Sequence, residues 1–283
     1  MRLYTFKHQG KTLIGAERDG ALVPLPHADM LALIRAGRPA LAEARKKLKS
    51  APARVAIPLK KAKLLAPVPR PGKMLFSGVN YYSHADDGSE RKPPFLNPRC
   101  FSKLPSVVIG PGEPIMHPGL DQNVDWEVEL ALVIGKKMKD WPDEKTMSGI
   151  FGYTIAHDVS ARTTQFQDNQ ETQGKNFDTF APMGPCIVTA DEIPDPSELR
   201  VQLYVNGEKM QDETNKEWIY PLTRVLGHLN SLMTLEPGDI VTTGTPGGVG
   251  LQMNPQRWLK PGDVCRLVIE PIGELVNPVK AKR

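Results

Sequence analysis

The stretch VDWEVELALVIG, residues 124–135, decides how the chain is read. Taken two by two, it splits into Trp126, Val128, Leu130, Leu132 and Ile134 on one face and Glu127, Glu129, Ala131 and Val133 on the other. That alternation predicts a β-strand. Glu127 and Glu129 project to the same side, roughly 6.6 Å apart along the strand. On a strand with one wet face two acids need no explanation. Here Ala131 and Val133 carry the same face on into a core, so the acids stand at its mouth. Like charges repel more strongly in such a place, and a cation would resolve the repulsion.

A third acid comes from YTIAHDVSAR, residues 153–162, which reads as another strand running up to Asp158. If the two strands are neighbours, Glu127, Glu129 and Asp158 converge. Oxygen ligands alone favour Mg²⁺, Mn²⁺ or Ca²⁺ over Zn²⁺. Calcium is the weaker choice, because no EF-hand loop occurs. Alternation puts His157 on the opposite face from Asp158, which makes it a structural residue rather than a ligand.

Composition narrows the class. At 283 residues, 40% hydrophobic and 24% charged, the chain reads as a globular protein able to bury a sizeable core. The formal charge of +4 collects in ARKKLKS (44–50), PLKKAKLL (58–65) and VKAKR (279–283). These runs lack interleaved aromatics and read as solvated surface, so no nucleic-acid partner is expected. No segment is apolar enough for a bilayer and the first residues do not resemble a signal peptide, so no membrane partner is expected. Three scattered cysteines, Cys100, Cys186 and Cys265, form no CxxC and suit a reducing cytoplasm.

Two units are expected. Residues 1–66 read as a small α/β domain, with strands in RLYTFKH and TLIGAER around Gln9–Gly10, and helices in HADMLALIRAG and PALAEARKKLKS broken at Gly37. APVPRPGK (66–73) is the Pro-rich boundary, and 67–283 form the larger domain. There the texture is strands and turns, with Asn206–Gly207 marking a hairpin and PLTRVLGHLNSLMTL (221–235) the one clear helix. No GxGxxG, P-loop or GxSxG motif appears. The expected fold is mainly β or α+β, a mixed or antiparallel sheet curled into a sandwich or barrel.

Six motifs in order carry a resemblance: GVNYYSHADD (78–87), DWEVELALVIGK (125–136), GYTIAHDVSAR (152–162), GKNFDTFAPMGP (174–185), TTGTPGGVG (242–250) and LKPGDV (259–264). Together they resemble the fumarylacetoacetate hydrolase family over nearly all of residues 70–280, and the small first unit resembles the extra domain of many bacterial members. The resemblance implies a mixed β-sandwich roll, a homodimer, and a divalent metal, usually Mg²⁺, on Glu127, Glu129 and Asp158. It implies substrate contacts at Arg162, Gln165, Lys175 and Thr245. Outside the motif, Arg162 and Lys175 would read as surface ion pairs, and Thr245 as a hydroxyl supporting a tight turn.

The substrates implied are small 2-oxo or 2,4-dioxo acids. A metal-stabilised enolate then allows hydrolysis of a carbon–carbon bond in an acylpyruvate-like acid, with His84 activating water and Lys175 stabilising the developing charge. One position departs from the pattern: Asp87 stands where hydrolytic members carry a glutamate, with Glu90 a possible substitute. That departure admits a decarboxylase, hydratase or tautomerase of a 2-oxo acid on the same site, and a non-catalytic metal-bearing scaffold is the third reading. The segment DGSERKPPFLNP (87–98) reads either as a lid over the substrate or as a surface loop.

Overall fold

The computed structural model describes residues 1–85, 93–167 and 170–282. Among them, a mixed sheet of 12 strands forms the spine. Its order runs from Ile57–Pro58 through Ala21–Pro24, Lys11–Arg18, Arg2–His8, Ala181–Thr189, Ile150–His157, Val128–Ile134 and Ile240–Thr242 to Met74–Ser77 and Cys100–Ser102. A second sheet of five strands packs across it, built on the hairpin Arg200–Val205 and Glu208–Thr214. Asn206 and Gly207 turn that hairpin with φ of 53° and 84°, as the Asn–Gly pair predicts. The sandwich expected from the strand-rich texture is the fold observed.

The alternation in residues 124–135 corresponds to two cores. Trp126, Val128, Leu130, Leu132 and Ile134 face a core shared with the second sheet. Ala131 and Val133 face another, shared with Leu3, Ile14, Met30, Leu33 and Ile34 of the N-terminal segment. All seven residues of Val128–Ile134 are buried, so neither face is wet. The stretch is nevertheless not one strand. Val124–Asp125 pairs separately with Ser160–Ala161, and the ladder resumes at Val128. The ladder is thus interrupted at Trp126–Glu127, with Glu127 in the gap and Glu129 inside the resumed pairing.

The helical reading of residues 30–50 also holds with its interruption. Asp29 caps the start by accepting from Ala32 N at 2.7 Å, and Gly37, at φ 66° and ψ −146°, breaks the helix ahead of Pro39. Strand pairing crosses the boundary drawn at residue 66, because Arg2–His8 joins Ala181–Thr189. The division into 1–66 and 67–283 is therefore a proposal about folding units. Among the described residues, no helix is long and apolar enough to cross a membrane.

His157 is buried on the face away from the acids, and neither ring nitrogen has a partner among the described residues. Burial pushes its pKa from 6.5 down to about 3. Between those values the unfolded chain binds a proton that the folded one excludes. Stability from this group is thus full above pH 6.5 and falls as the pH drops toward 3, by about 1.4 kcal/mol per unit. Urea midpoints measured from pH 7 to 5 are expected to fall less steeply in His157→Leu than in the parent. Parallel slopes would show that the imidazole is not held neutral.

Candidate metal centre

Two paired strands bring the three acids together. Val128–Ile134 runs antiparallel to Ile150–His157 with Glu129 opposite Ala156, and Asp158 N donates to Glu127 O at 3.0 Å. Asp158 thus follows one strand where Glu127 precedes the other. Carboxylate oxygens of Glu127, Glu129 and Asp158 lie within 4.8 Å of one another, and all three residues are at least 96% buried. The convergence expected from the sequence is what the ladder produces.

The strand break costs little because its polar groups find partners. Val128 N donates to Gln211 Oε1 at 3.0 Å, and the Trp126 indole donates to Gly248 O at 3.1 Å. Gln211 then donates to Thr245 Oγ1 and Pro246 O, both at 2.8 Å, which ties the TGTPGG loop to the acid-bearing strand. Gly244 N donates to Glu129 Oε2 at 3.0 Å. Gly244 sits at φ 79°, and a Cβ there would lie 3.0 Å from Asn80 Cβ and 3.1 Å from Gly78 O, so the close approach needs glycine.

Cations surround the acids. Lys175 Nζ donates to Glu127 Oε2 at 2.8 Å and Asp158 Oδ2 at 2.7 Å. Lys103 Nζ donates to Asp158 Oδ1 at 2.6 Å and to the carbonyls of Val159 and Phe180. Arg162 bridges Asp125, Glu127 and Gln165. Burial opposes the charge on Glu127, but Lys175 and Arg162 outweigh it and hold that carboxyl well below its usual range. Glu129 goes the other way: burial, then the charges of Asp158 and Glu127, raise it well above 4.5. Burial lowers Lys103 to about 8 against the pull of Asp158.

His84 lies on the short helix Tyr82–Ala85, which Gln252 tethers by donating to His84 O at 2.9 Å. Burial lowers its pKa, with Glu127 opposing and Arg162 and Lys175 reinforcing the shift. His84, Glu127, Arg162, Gln165, Lys175 and Thr245 line one cavity of about 60 Å³, with Phe101 and Glu171 also in its wall. Asp87 and Glu90 lie outside the described residues, as does the part of the expected lid from 87 to 92.

The donor set fits a hard divalent cation. It is all oxygen, three carboxyl groups converge at one point, and Glu129 Oε1 is buried with no hydrogen-bond partner among the described residues. Because Glu129 holds its proton to higher pH, metal binding has to displace it. Mg²⁺ or Mn²⁺ binding is therefore expected to release protons and to tighten as pH rises. Calorimetric titrations in buffers of different ionisation enthalpy test this, and a heat independent of buffer would contradict it.

Sequence reading passed over Asp125, Lys103, Gln211, Phe101 and Glu171. Asp125 was within reach, since it continues the acidic period-two face as residue 125 before 127 and 129. Lys103, in CFSKLPS, carries no pattern that distinguishes it from a surface lysine. Gln211 and Phe101 enter from elements far away in sequence, and only tertiary packing reveals them.

Three carboxylates at the ends of adjacent strands, ringed by buried cations inside a β-roll, define a candidate carboxylate metal centre. The chain belongs to the fumarylacetoacetate hydrolase family: the model of the fumarylacetoacetate (FAA) hydrolase C-terminal region matches residues 73–280. The mitochondrial oxaloacetate tautomerase Fahd2a of Rattus norvegicus is 39% identical over 290 residues, spanning 99% of this chain and 91% of the rat protein. The fumarylacetoacetate hydrolase of Exiguobacterium antarcticum superposes with a TM-score of 0.87 at 36% identity, covering 100% of both chains. The maleylpyruvate hydrolase of Sphingobium sp. SYK-6, solved with manganese(II) and pyruvate, does so with a TM-score of 0.82 at 29% identity, again over 100% of both.

Proposed function

We propose that this protein interconverts the keto and enol forms of a short 2-oxo acid, with oxaloacetate the first candidate. The observation that carries the reading is the shared cavity, in which one imidazole with a lowered pKa and one ammonium line the wall together with Glu127, the member of the three-acid cluster that reaches it. The similarity to an oxaloacetate tautomerase over 99% of the chain supports it. Glu127, Glu129 and Asp158 would hold Mg²⁺ or Mn²⁺, which when bound supplies Lewis-acid polarisation of the 2-oxo group. Arg162, Gln165 and Thr245, all in the wall of that cavity, orient the carboxylates of the substrate. His84, neutral at pH 7, takes the proton from carbon 3 and returns it to the oxygen on carbon 2. Lys175 keeps its charge beside that oxygen and favours the anion that forms between the two transfers.

Carbon–carbon hydrolysis is the second reading. It is favoured by the likeness to a maleylpyruvate hydrolase and by the same histidine, which would then activate water. It asks for a carboxylate beside His84, the role open to Asp87. Assembly as a homodimer and residence in a reducing compartment such as the cytoplasm belong to the proposal too, the latter resting on three free cysteines.

The test follows the enol absorbance of freshly dissolved enol-oxaloacetate with Mn²⁺-loaded protein, metal-stripped protein and His84→Asn. Acceleration over the spontaneous rate that disappears in the latter two is expected. Pyruvate and a free carboxylic acid released from acylpyruvates, with no effect on the enol, would move the assignment to the hydrolase.

A further inference from the structure

Asp125 stands outside the three-acid cluster and does not line the cavity, yet it is wholly buried and connects three parts of the site. Its Oδ2 accepts from Arg162 Nε at 2.9 Å and lies 2.8 Å from the same guanidinium's second terminal nitrogen. Its Oδ1 accepts from Trp126 N at 2.8 Å and from Gly250 N at 2.7 Å, and Oδ2 also receives Leu251 N at 3.1 Å. One carboxylate therefore joins the break in the acid-bearing strand, the arginine in the cavity, and the far end of the loop that begins at Thr245.

The join is tight. A Cβ at Gly250 would fall 1.9 Å from Arg257 O and 2.8 Å from Asp125 Oδ1, so the loop can come this close only with glycine there. Arg162 has a second anchor, Glu127 Oε1 at 2.5 Å. That anchor is a candidate metal ligand, and a carboxylate that takes up a cation has less to offer a guanidinium. Asp125 holds Arg162 without depending on that exchange. The planar fork meets Asp125 through one edge while its remaining nitrogen, Nη1, donates to Gln165.

We propose that Asp125 is a positioning residue that holds Arg162 and the Thr245–Leu251 loop in register to receive the carboxylate of the substrate. This rests on reading the cavity as a 2-oxo acid site. Asp125 itself touches neither substrate nor metal; it acts through the arginine and the loop.

A double-mutant cycle tests it by calorimetry of oxalate, a small mimic of the 2-oxo acid end, binding to Mn²⁺-loaded protein. The parent, Asp125→Asn, Arg162→Met and the double variant are compared, first for Mn²⁺ and then for oxalate. Asp125→Asn is expected to weaken oxalate about tenfold, as loss of a charged hydrogen-bond partner would, and to leave Mn²⁺ affinity within about twofold. In the Arg162→Met background the same substitution is expected to add no further loss. Asp125→Ser, which keeps an acceptor near the loop but none for Arg162, is the second variant if Asp125→Asn does not fold, with the same expectation. Equal losses in both backgrounds, or Mn²⁺ affinity falling together with oxalate, would mean a merely structural role and overturn the proposal. If the parent takes up Mn²⁺ but not oxalate, the 2-oxo acid reading fails instead. A crystal structure of the Asp125 variant then decides the positioning role: a displaced guanidinium supports it and an unmoved one overturns it.

Discussion

Glu129→Gln is expected to remove divalent-metal binding while leaving the metal-free protein as stable as its parent. The two halves follow from one fact. Glu129 is buried among like charges that raise its pKa, so without metal it already resembles the neutral amide. The hydrogen bond from Gly244 N to Oε2 can be kept by an amide oxygen. The other oxygen, Oε1, has no partner to lose among the described residues. Thermal midpoints of the metal-free proteins should therefore agree closely. A cation that expects three carboxylates finds two, and affinity is expected to fall by at least about 100-fold, beyond the loss typical of an outer-shell change. Turnover in the presence of metal should drop on the order of 10³-fold. A variant that unfolds readily without metal, or that binds Mn²⁺ as the parent does, would show that Glu129 has another role.

Lys175→Met should give the reverse pattern. In the metal-free protein Lys175 Nζ bridges Glu127 and Asp158, both buried. Truncating one partner of a buried pair leaves charge without compensation and costs about 3–5 kcal/mol. Lys103 still holds Asp158, and Arg162 still holds Glu127, so the lower end of that range is expected. Mn²⁺ brings positive charge back to the same oxygens, so most of the lost stability should return on loading, more than the parent gains. Activity should not return with it, because the ammonium in the cavity is gone; a fall of about 10² to 10⁴ in turnover is expected. Urea unfolding with and without Mn²⁺, alongside turnover, separates the two effects. Equal stabilisation of parent and variant by metal would contradict the exchange of lysine for cation.

How much of this could be read beforehand depended on the distance over which each signal acts. The alternation in 124–135 is local, and it put Leu130 and Leu132 on one face and Ala131 and Val133 on the other, as in the structure; that each face meets a core of its own is set by packing and was not foreseen. The break at Trp126–Glu127 was invisible, because it depends on Gln211 and Gly248 from elsewhere in the chain to satisfy the interrupted backbone and the indole. Asp158 met the two glutamates because neighbouring antiparallel strands are the simplest pairing for those segments. His84, Arg162, Gln165, Lys175 and Thr245 were named from motif order, and the structure gathers all five around one cavity. Periodicity alone would not have assembled them, since they come from three short helices and a loop. Lys103 was missed because an isolated lysine carries no sign that its ammonium will be buried against Asp158 and two carbonyls. Asp125 was missed although the period-two face included it.

The most direct measurement is a crystal structure of the protein grown with Mn²⁺ and oxalate, using the anomalous signal of manganese. The expected result is one anomalous peak bonded to oxygens of Glu127, Glu129 and Asp158 at about 2.0–2.2 Å, with Lys175 drawn off its bridge and oxalate on the open positions facing Arg162 and Thr245. A peak elsewhere, or an intact Lys175 bridge with no metal between the three acids at saturating Mn²⁺, would contradict the assignment of this cluster as the metal centre.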